Sequence, residues 1–443
     1  MLTNPVVISV LVMTGLSLLN LNVILALIVA ALVGGTLAGM PINETMSVLI
    51  DGMGGNAETA LSYILLGALA AAVQKTGVAT ILAKKIANWV KGKKIILIGI
   101  IATVACFSQN LIPVHIAFIP ILIPPLIGVM NKLKIDRRAV ACALTFGLKA
   151  PYVAIPVGFG LIFHNIIRDE MIANGLEVST SMVWKVMWMP GLGMLVGLLV
   201  AVFITYRQSR DYKSLEELEH TSQMQAKAEV AATDERLKMS GVHYAALAGS
   251  IAALVIQLMT DSLPLGAIVG LGIMLAFRAI KWRDIDELME SGIGMMGFIA
   301  FVMLVASGYG AVIRETGGVE SLVQSASGLI GGSQLIAAII MILVGLIVTM
   351  GIGTSFGTIP ILAAIFVPLA SANGFSPLAI IALIGTAAAL GDAGSPASDS
   401  TLGPTAGLNI DGQHDHIWDT CVPTFLHFNI PLMIFGIIAA LIF

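Results

Sequence analysis

The sequence predicts an all-α polytopic membrane protein made of two inverted-topology repeats, with two re-entrant hairpins and two broken helices. Three observations carry that expectation: composition, an internal duplication and the placement of charge. Of 443 residues, 57% are hydrophobic and 11% charged, against about 45–50% and about 25% in soluble domains. Apolar runs long enough to cross a bilayer as helix recur along the whole chain. Long unbroken runs exclude an outer-membrane barrel, whose strands alternate over about ten residues. Cys106, Cys142 and Cys421 lie in or beside apolar runs and imply no disulfide framework. The first 19 residues hold no Lys or Arg, so they read as a retained first helix rather than a signal peptide. No nucleic-acid-binding patch is present.

The duplication appears when the sequence is shifted by 240 residues. "DGMG" (51–54) then meets "SGIG" (291–294), "QKTG" (74–77) meets "RETG" (314–317), and "IPIL" (119–122) meets "IPIL" (359–362). Pro156 meets Pro396. Several matches in one ungapped register indicate two repeats. The basic clusters are 84–94, 131–138, the linker 206–240 and 278–283, and the repeat mates of the three loops among them are neutral. If Lys and Arg mark cytoplasmic loops, each loop and its mate face opposite sides, and the halves are inverted.

The expected organisation is a first membrane repeat (1–205), a charged cytoplasmic linker read as a helical tether (206–240), and a second, inverted repeat (241–443). In the first half the apolar segments are 5–19, 23–40, 58–74, 95–112, 113–130, 139–163 and 183–205. In the second they are 243–260, 263–280, 297–313, 335–352, 355–370, 378–400 and 421–441. The pairs 95–130 and 335–370 have polar or Gly/Pro-rich tips and read as re-entrant hairpins, although full spans would leave the parity unchanged. Both termini are expected outside a bacterial inner membrane.

Inverted repeats with interrupted helices point to a secondary transporter whose site lies near the midplane. In "GDAGSPASDST" (391–401), Gly391, Gly394 and Pro396 would stop a helix inside the membrane. Unwound carbonyls are tolerated there only when buried in protein or lining a cavity. Asp392 and Asp399 add carboxylates, and Ser395, Ser398, Ser400 and Thr401 add hydroxyls. Such oxygen-rich sets suit hard cations, by extension from calcium and magnesium, and an intramembrane acid is a functional candidate by default. In "GIGTSFGT", Gly353 allows close backbone approach, while Thr354, Ser355 and Thr358 offer hydroxyls to a substrate. Ser355 maps onto His115 and Asp392 onto Tyr152, because the mate of the acidic stretch is "LKAPYVAIPVG" (148–158). That mate carries neither acid and adds Lys149 instead, one turn from Tyr152. Lys149 could hold a solute carboxylate, counter a nearby acid, or snorkel toward an interface. Asp51 and Glu58 read as helix-start acids, His164 and Asn165 as the end of a half-helix, and "DGQHDH" (411–416) as a solvated loop. A hydrolase reading of Gly353–Gly357 lacks the strand-turn-helix setting that a nucleophile elbow needs. No stretch reads as a selectivity-filter loop.

"GTSFGT" (353–358) resembles the G-T-S-W-G-T stretch of the NhaC-type sodium/proton antiporters. "GDAGSPASDST" resembles that family's G-D-x-x-S-P-x-S-D-T-T signature, and the two occur in the family's order. The resemblance implies the ion transporter superfamily architecture, with a cation site at Asp392, Ser395, Ser398, Asp399 and Thr401 and with Thr354 and Ser355 beside it. Those antiporters repeat the acidic signature in their first half, where this chain has "LKAPYVAIPVG". The departure makes the chain look more like the family's branch of proposed amino-acid (histidine-type) permeases. The expectation is a transporter, not an enzyme, driven by Na+ or H+ and carrying a small organic solute, with a Na+/H+ antiporter as the alternative. The solute side would comprise Gly353, Thr354, Ser355, Thr358, His115, Lys149 and Tyr152. No cofactor is expected, and no metal beyond Na+ at Asp392 and Asp399. Membrane lipid is an expected partner, nucleic acid is not, and the outer helices could form a homodimer interface.

Overall fold

A computed structural model of the protein describes residues 4–19, 21–78, 81, 93–110, 119, 123–213, 239–260, 262–318, 333–352, 355–395 and 398–443. The described residues hold helices and no strand. The first half contains α1 (Pro5–Leu18), α2 (Val23–Leu37), α3 (Ile42–Gly52), α4 (Ala57–Thr76), α5 (Lys94–Asn110), α6 (Pro124–Lys132), α7 (Arg137–Ala154), α8 (Phe159–Ala173) and α9 (Thr180–Thr205). The second contains α10 (Gly241–Thr260), α11 (Leu263–Ala276), α12 (Ile285–Glu315), α13 (Gln334–Ile352), α14 (Ser355–Ala372), α15 (Pro377–Ala389), α16 (Asp399–Leu408) and α17 (His416–Ile442). Six of these spans are long and apolar enough to cross a membrane, or seven if the α7–α8 pair, bent by 45°, is one span.

Helix starts follow the 240-residue offset: 23 and 263, 94 and 334, 137 and 377, 159 and 399. The sequence reasons for those starts are themselves paired. Asn22 and Ser262 cap α2 and α11, and Asp136 and Ser376 cap α7 and α15, each accepting a backbone N–H of the first turn.

Packing repeats too. α1 packs on α2 as α10 does on α11, and α5 packs on α7 as α13 does on α15. Small residues let these backbones approach where lipid supplies no hydrophobic drive. A Cβ on Gly147 would sit 2.3 Å from the Ala105 Cβ. In the mate contact the glycine is on the other helix, and a Cβ on Gly345 would sit 2.3 Å from the Ala387 Cβ. The halves also cross each other reciprocally, through α3, α4 and α12. Gly52 lies against Gly308, and Gly292 against Ala68. Since 52 and 292, and 68 and 308, are repeat mates, the contact has the pattern of a local two-fold.

Residues 206–213 begin the expected helical tether but are not helical. They form a strap held by side chains at one end of the bundle. Lys94 Nζ donates to Ser209 Oγ (2.6 Å), Lys134 pairs with Asp211 (2.7 Å), and Gln413 bonds both the N–H and the carbonyl of Lys213. Side-chain clamps from Lys94, Lys134 and Gln413 replace the helical ladder. Residues 214–238 lie outside the described residues, as do the hairpin-tip positions 111–118 and 353–354.

Candidate functional site

Both broken helices are interrupted, but unequally. α7 ends at Ala154 and α8 starts at Phe159, leaving four residues between them. α15 ends at Ala389 and α16 starts at Asp399, leaving nine, Leu390 to Ser398. The second helix therefore unwinds five residues earlier than its mate. Gly391 (φ +78°) and Gly394 (φ +99°) adopt the left-handed region that L side chains avoid, where the first half has Pro151 and Ala154. The early unwinding turns the Asp392 carboxylate inward while Tyr152 stays on a helix.

The two mates then meet. Tyr152 Oη donates to Asp392 Oδ2 at 2.7 Å. Two residues paired by the 240-residue offset are thus in direct contact at the centre of the site. Ser355, at the head of α14, donates to the same Oδ2 at 3.0 Å and lies 3.0 Å from Tyr152 Oη. Ser398 donates to Oδ1, and so does Ser400 at 3.1 Å. Four hydroxyls from three segments thus surround one buried carboxylate. A hydroxyl can donate to a carboxylate or turn a lone pair toward a cation, so this shell can serve either an empty or a cation-filled state.

Lys149 Nζ is fully buried, 3.7 Å from Asp392 Oδ2, with no hydrogen-bond partner among the described residues. Thr401 does not touch the carboxylate. Its hydroxyl instead bonds the carbonyls of Ser395 (2.5 Å) and Ser398 (2.9 Å), holding the unwound strand. Ser395 is buried in that strand, and Thr358 is buried one turn along α14 from Ser355. Asp399 heads α16, but its side chain lies outside the described residues, as do Gly353, Thr354 and His115.

Several contributors were not anticipated. Thr145 donates to the Ser400 carbonyl at 2.7 Å, tying α7 to the start of α16. α17 is wound as π-helix over His416–Cys421 and Phe425–Asn429, a geometry that recurs at functional sites. From it Asn429 Nδ2 donates to the Ala393 carbonyl at 2.9 Å. Phe356 packs against Tyr152 in a tilted contact and against Tyr63 and Phe163 edge-to-face, at centroid distances of 5.2, 5.7 and 5.8 Å. These rings shield the Tyr152 phenol and fix its direction. His164 is buried beneath them and bonds the Val153 carbonyl at 2.9 Å.

The loop 411–416, expected to be solvated, is so only in part: Gly412 and Asp415 are exposed. Asp411 and His414 are buried. Asp411 receives both guanidinium nitrogens of Arg137, whose side chain is also fully buried. Arg137 further reaches the Leu408 carbonyl and Asn131, and stacks on Tyr212 with its carbon 4.2 Å from the ring centroid. Burial opposes ionisation of Asp411, and the Arg137 bonds outweigh it, holding the carboxyl below its ordinary range. Burial pushes the His414 imidazole down to about 4, so it is neutral and bonds Thr420 at 2.7 Å. This polar knot joins the start of α7, the end of α16 and the 206–213 strap.

Residues 143–437 match the model of the Na+/H+ antiporter family, and residues 4–90 match a second model described as Na+-H+ antiporter family. The chain belongs to the Na+/H+ antiporter family. Its relatives include a membrane protein of Vibrio parahaemolyticus serotype O3:K6, 52% identical over 99% of this chain and 100% of that one. A Bacillus subtilis (strain 168) protein, YuiF, named as a candidate amino acid transporter, is 47% identical over 99% of this chain and 100% of its own. Among solved structures, MtrF of Neisseria gonorrhoeae, titled as one of a class of antimetabolite efflux pumps, aligns with a TM-score of 0.63 at 15% identity. That alignment covers 89% of this chain and 83% of MtrF. The Alcanivorax borkumensis YdaH transporter aligns at 0.60 and 13%, covering 89% and 87%. These likenesses show a shared transporter fold. This family member is accordingly a multi-pass membrane protein of the Na+/H+ antiporter type.

Proposed function

We propose that this family member is a secondary transporter of the bacterial inner membrane, driven by Na+ or H+, that carries a small amino acid or related carboxylate-bearing solute. The observation that carries the reading is the unequal break. One half supplies a carboxylate ringed by hydroxyls, and the other supplies a buried ammonium with unused donors. Asp392 with Ser398, Ser400 and Ser355 suits the coupling cation, helped by Ser395, Asp399 and Thr401 along the same strand. Lys149, with Tyr152, Thr358, Gly353, Thr354 and His115, suits the solute. The name of the Bacillus subtilis relative supports an amino-acid cargo. The two repeats (1–205 and 241–443) would lie inverted with both termini outside, the 206–240 linker in the cytoplasm, and a homodimer formed through the outer helices.

The family itself favours a second reading, bare Na+/H+ exchange at Asp392. Proteoliposomes separate the two. An imposed sodium or proton gradient should drive uptake of a labelled amino acid. Sodium-dependent proton movement with no solute required would establish the exchanger instead.

A further inference from the structure

The Lys149–Asp392 pair has an uneven hydrogen-bond account. Asp392 is served by Tyr152, Ser355, Ser398 and Ser400. Lys149 Nζ, fully buried 3.7 Å away, has no hydrogen-bond partner among the described residues. A buried ammonium with idle donors is costly unless something anionic is meant to reach it. Among the described residues its charge is balanced through space, by the carboxylate that the coupling cation would occupy.

We infer that Lys149 is a tethered counter-cation that makes cation entry at Asp392 conditional on a carboxylate arriving at Lys149. This rests on the transporter reading above and adds the direction of coupling. In the empty site, Lys149 and Asp392 neutralise each other. A cation alone leaves the ammonium unbalanced. A carboxylate alone leaves Asp392 unbalanced. For a solute of net charge −1, each buried charge has a partner again when both bind: the solute carboxylate takes the Lys149 donors, and the cation takes the lone pairs of Asp392 and its hydroxyls. An unbalanced charge is expensive to move through a low-dielectric interior. The empty and doubly loaded forms are therefore the mobile ones, and the coupling is symport. The separation of the two charges fits this role, because each lies within reach of the other yet the ammonium has no hydrogen-bond partner among the described residues.

The test uses the full chain in nanodiscs and begins without any solute. The probe is 22Na+, with proton uptake followed by a pH dye as a parallel arm. Lys149→Met should bind the cation at least about tenfold more tightly than wild type, because the competing internal charge has gone. Lys149→Arg, which keeps the charge, should not show the tightening seen in Lys149→Met, and Asp392→Asn should abolish the signal in every background. If Lys149→Met folds poorly, Lys149→Gln provides the same comparison. Equal affinities with and without the Lys149 charge, in both arms, overturn the inference. So does saturable amino-acid binding to wild type that needs neither Na+ nor a proton, which would mean that the solute's own ammonium takes Asp392. Absence of amino-acid flux with a clear Lys149 effect on cation binding would sink only the solute reading.

Discussion

The two broken helices began from one pattern and now do different work. In the first half, four residues separate α7 from α8, and the positions at the site are Lys149 and Tyr152. In the second, nine residues separate α15 from α16, and the position at the site is Asp392. Ser398 and Ser400 on the acidic side correspond to Gly158 and Gly160 on the other. The oxygen ligands are therefore gathered on one side, while the other keeps a helix and a cation. Two copies of one pattern present unlike chemistry because one copy of the break is unwound further than its mate.

The comparison can be broken most completely by Asp392→Asn, which removes the acid at the position where the first half has Tyr152. Coupled transport in proteoliposomes should be lost by about 100-fold or more; full activity in this variant would remove the cation site from Asp392. Next in size is the polar knot, which exists only because the halves differ. Arg137→Gln leaves Asp411 buried and unpaired, and should cost about 3–5 kcal/mol, read as a lower melting temperature in detergent. Replacing both with apolar residues, Arg137→Met with Asp411→Leu, should recover most of that loss; a double variant as unstable as the single one would show that the pair is not the cause.

Tyr152→Phe removes the hydrogen bond between the repeat mates Tyr152 and Asp392. A bond to a charged group contributes about 1.5–3 kcal/mol, so cation affinity should change by roughly tenfold or more, while the Phe356 packing and the fold persist. Unchanged binding would mean that Ser355 alone suffices on Oδ2. The smallest expected effect is on pH dependence. His414 is held near 4 in the fold against about 6.5 when unfolded. The unfolded chain binds the extra proton first, so stability should fall as pH drops from about 6.5 towards about 4 and stay level above that window. His414→Gln should flatten this part of a thermal-denaturation profile.

Much of this arrangement follows from position in the chain. The offset of 240 predicts the paired helix starts, and it pairs Tyr152 with Asp392 before any contact is known. The glycines at 391 and 394 announce a break. They do not say that the helix gives way at Ala389, because that depends on which glycine enters the left-handed region. Ser400 was visible as a hydroxyl in the signature, yet only the fold shows that it, and not Thr401, reaches the carboxylate. Arg137 and Asp411 are 274 residues apart and share no repeat position. Their short-range surroundings, a basic loop and an Asp/His-rich turn, look solvated, and only tertiary packing removes the water. The strap at 206–213 has the same cause: its order comes from side chains elsewhere, such as Gln413, rather than from its own helical propensity.

The swapped glycine between α5–α7 and α13–α15 restricts how two such halves could have diverged. In one half the pair is Ala105 with Gly147, and in the other it is Gly345 with Ala387. For repeats of common origin, one arrangement can turn into the other only through a pair with two alanines or a pair with two glycines. Two alanines would place their methyl carbons 2.3 Å apart, which the helices cannot accommodate without separating. Two glycines leave only a small void. The passable route therefore runs through the looser intermediate, and a chimera that grafts α15 into the place of α7 would recreate the blocked one.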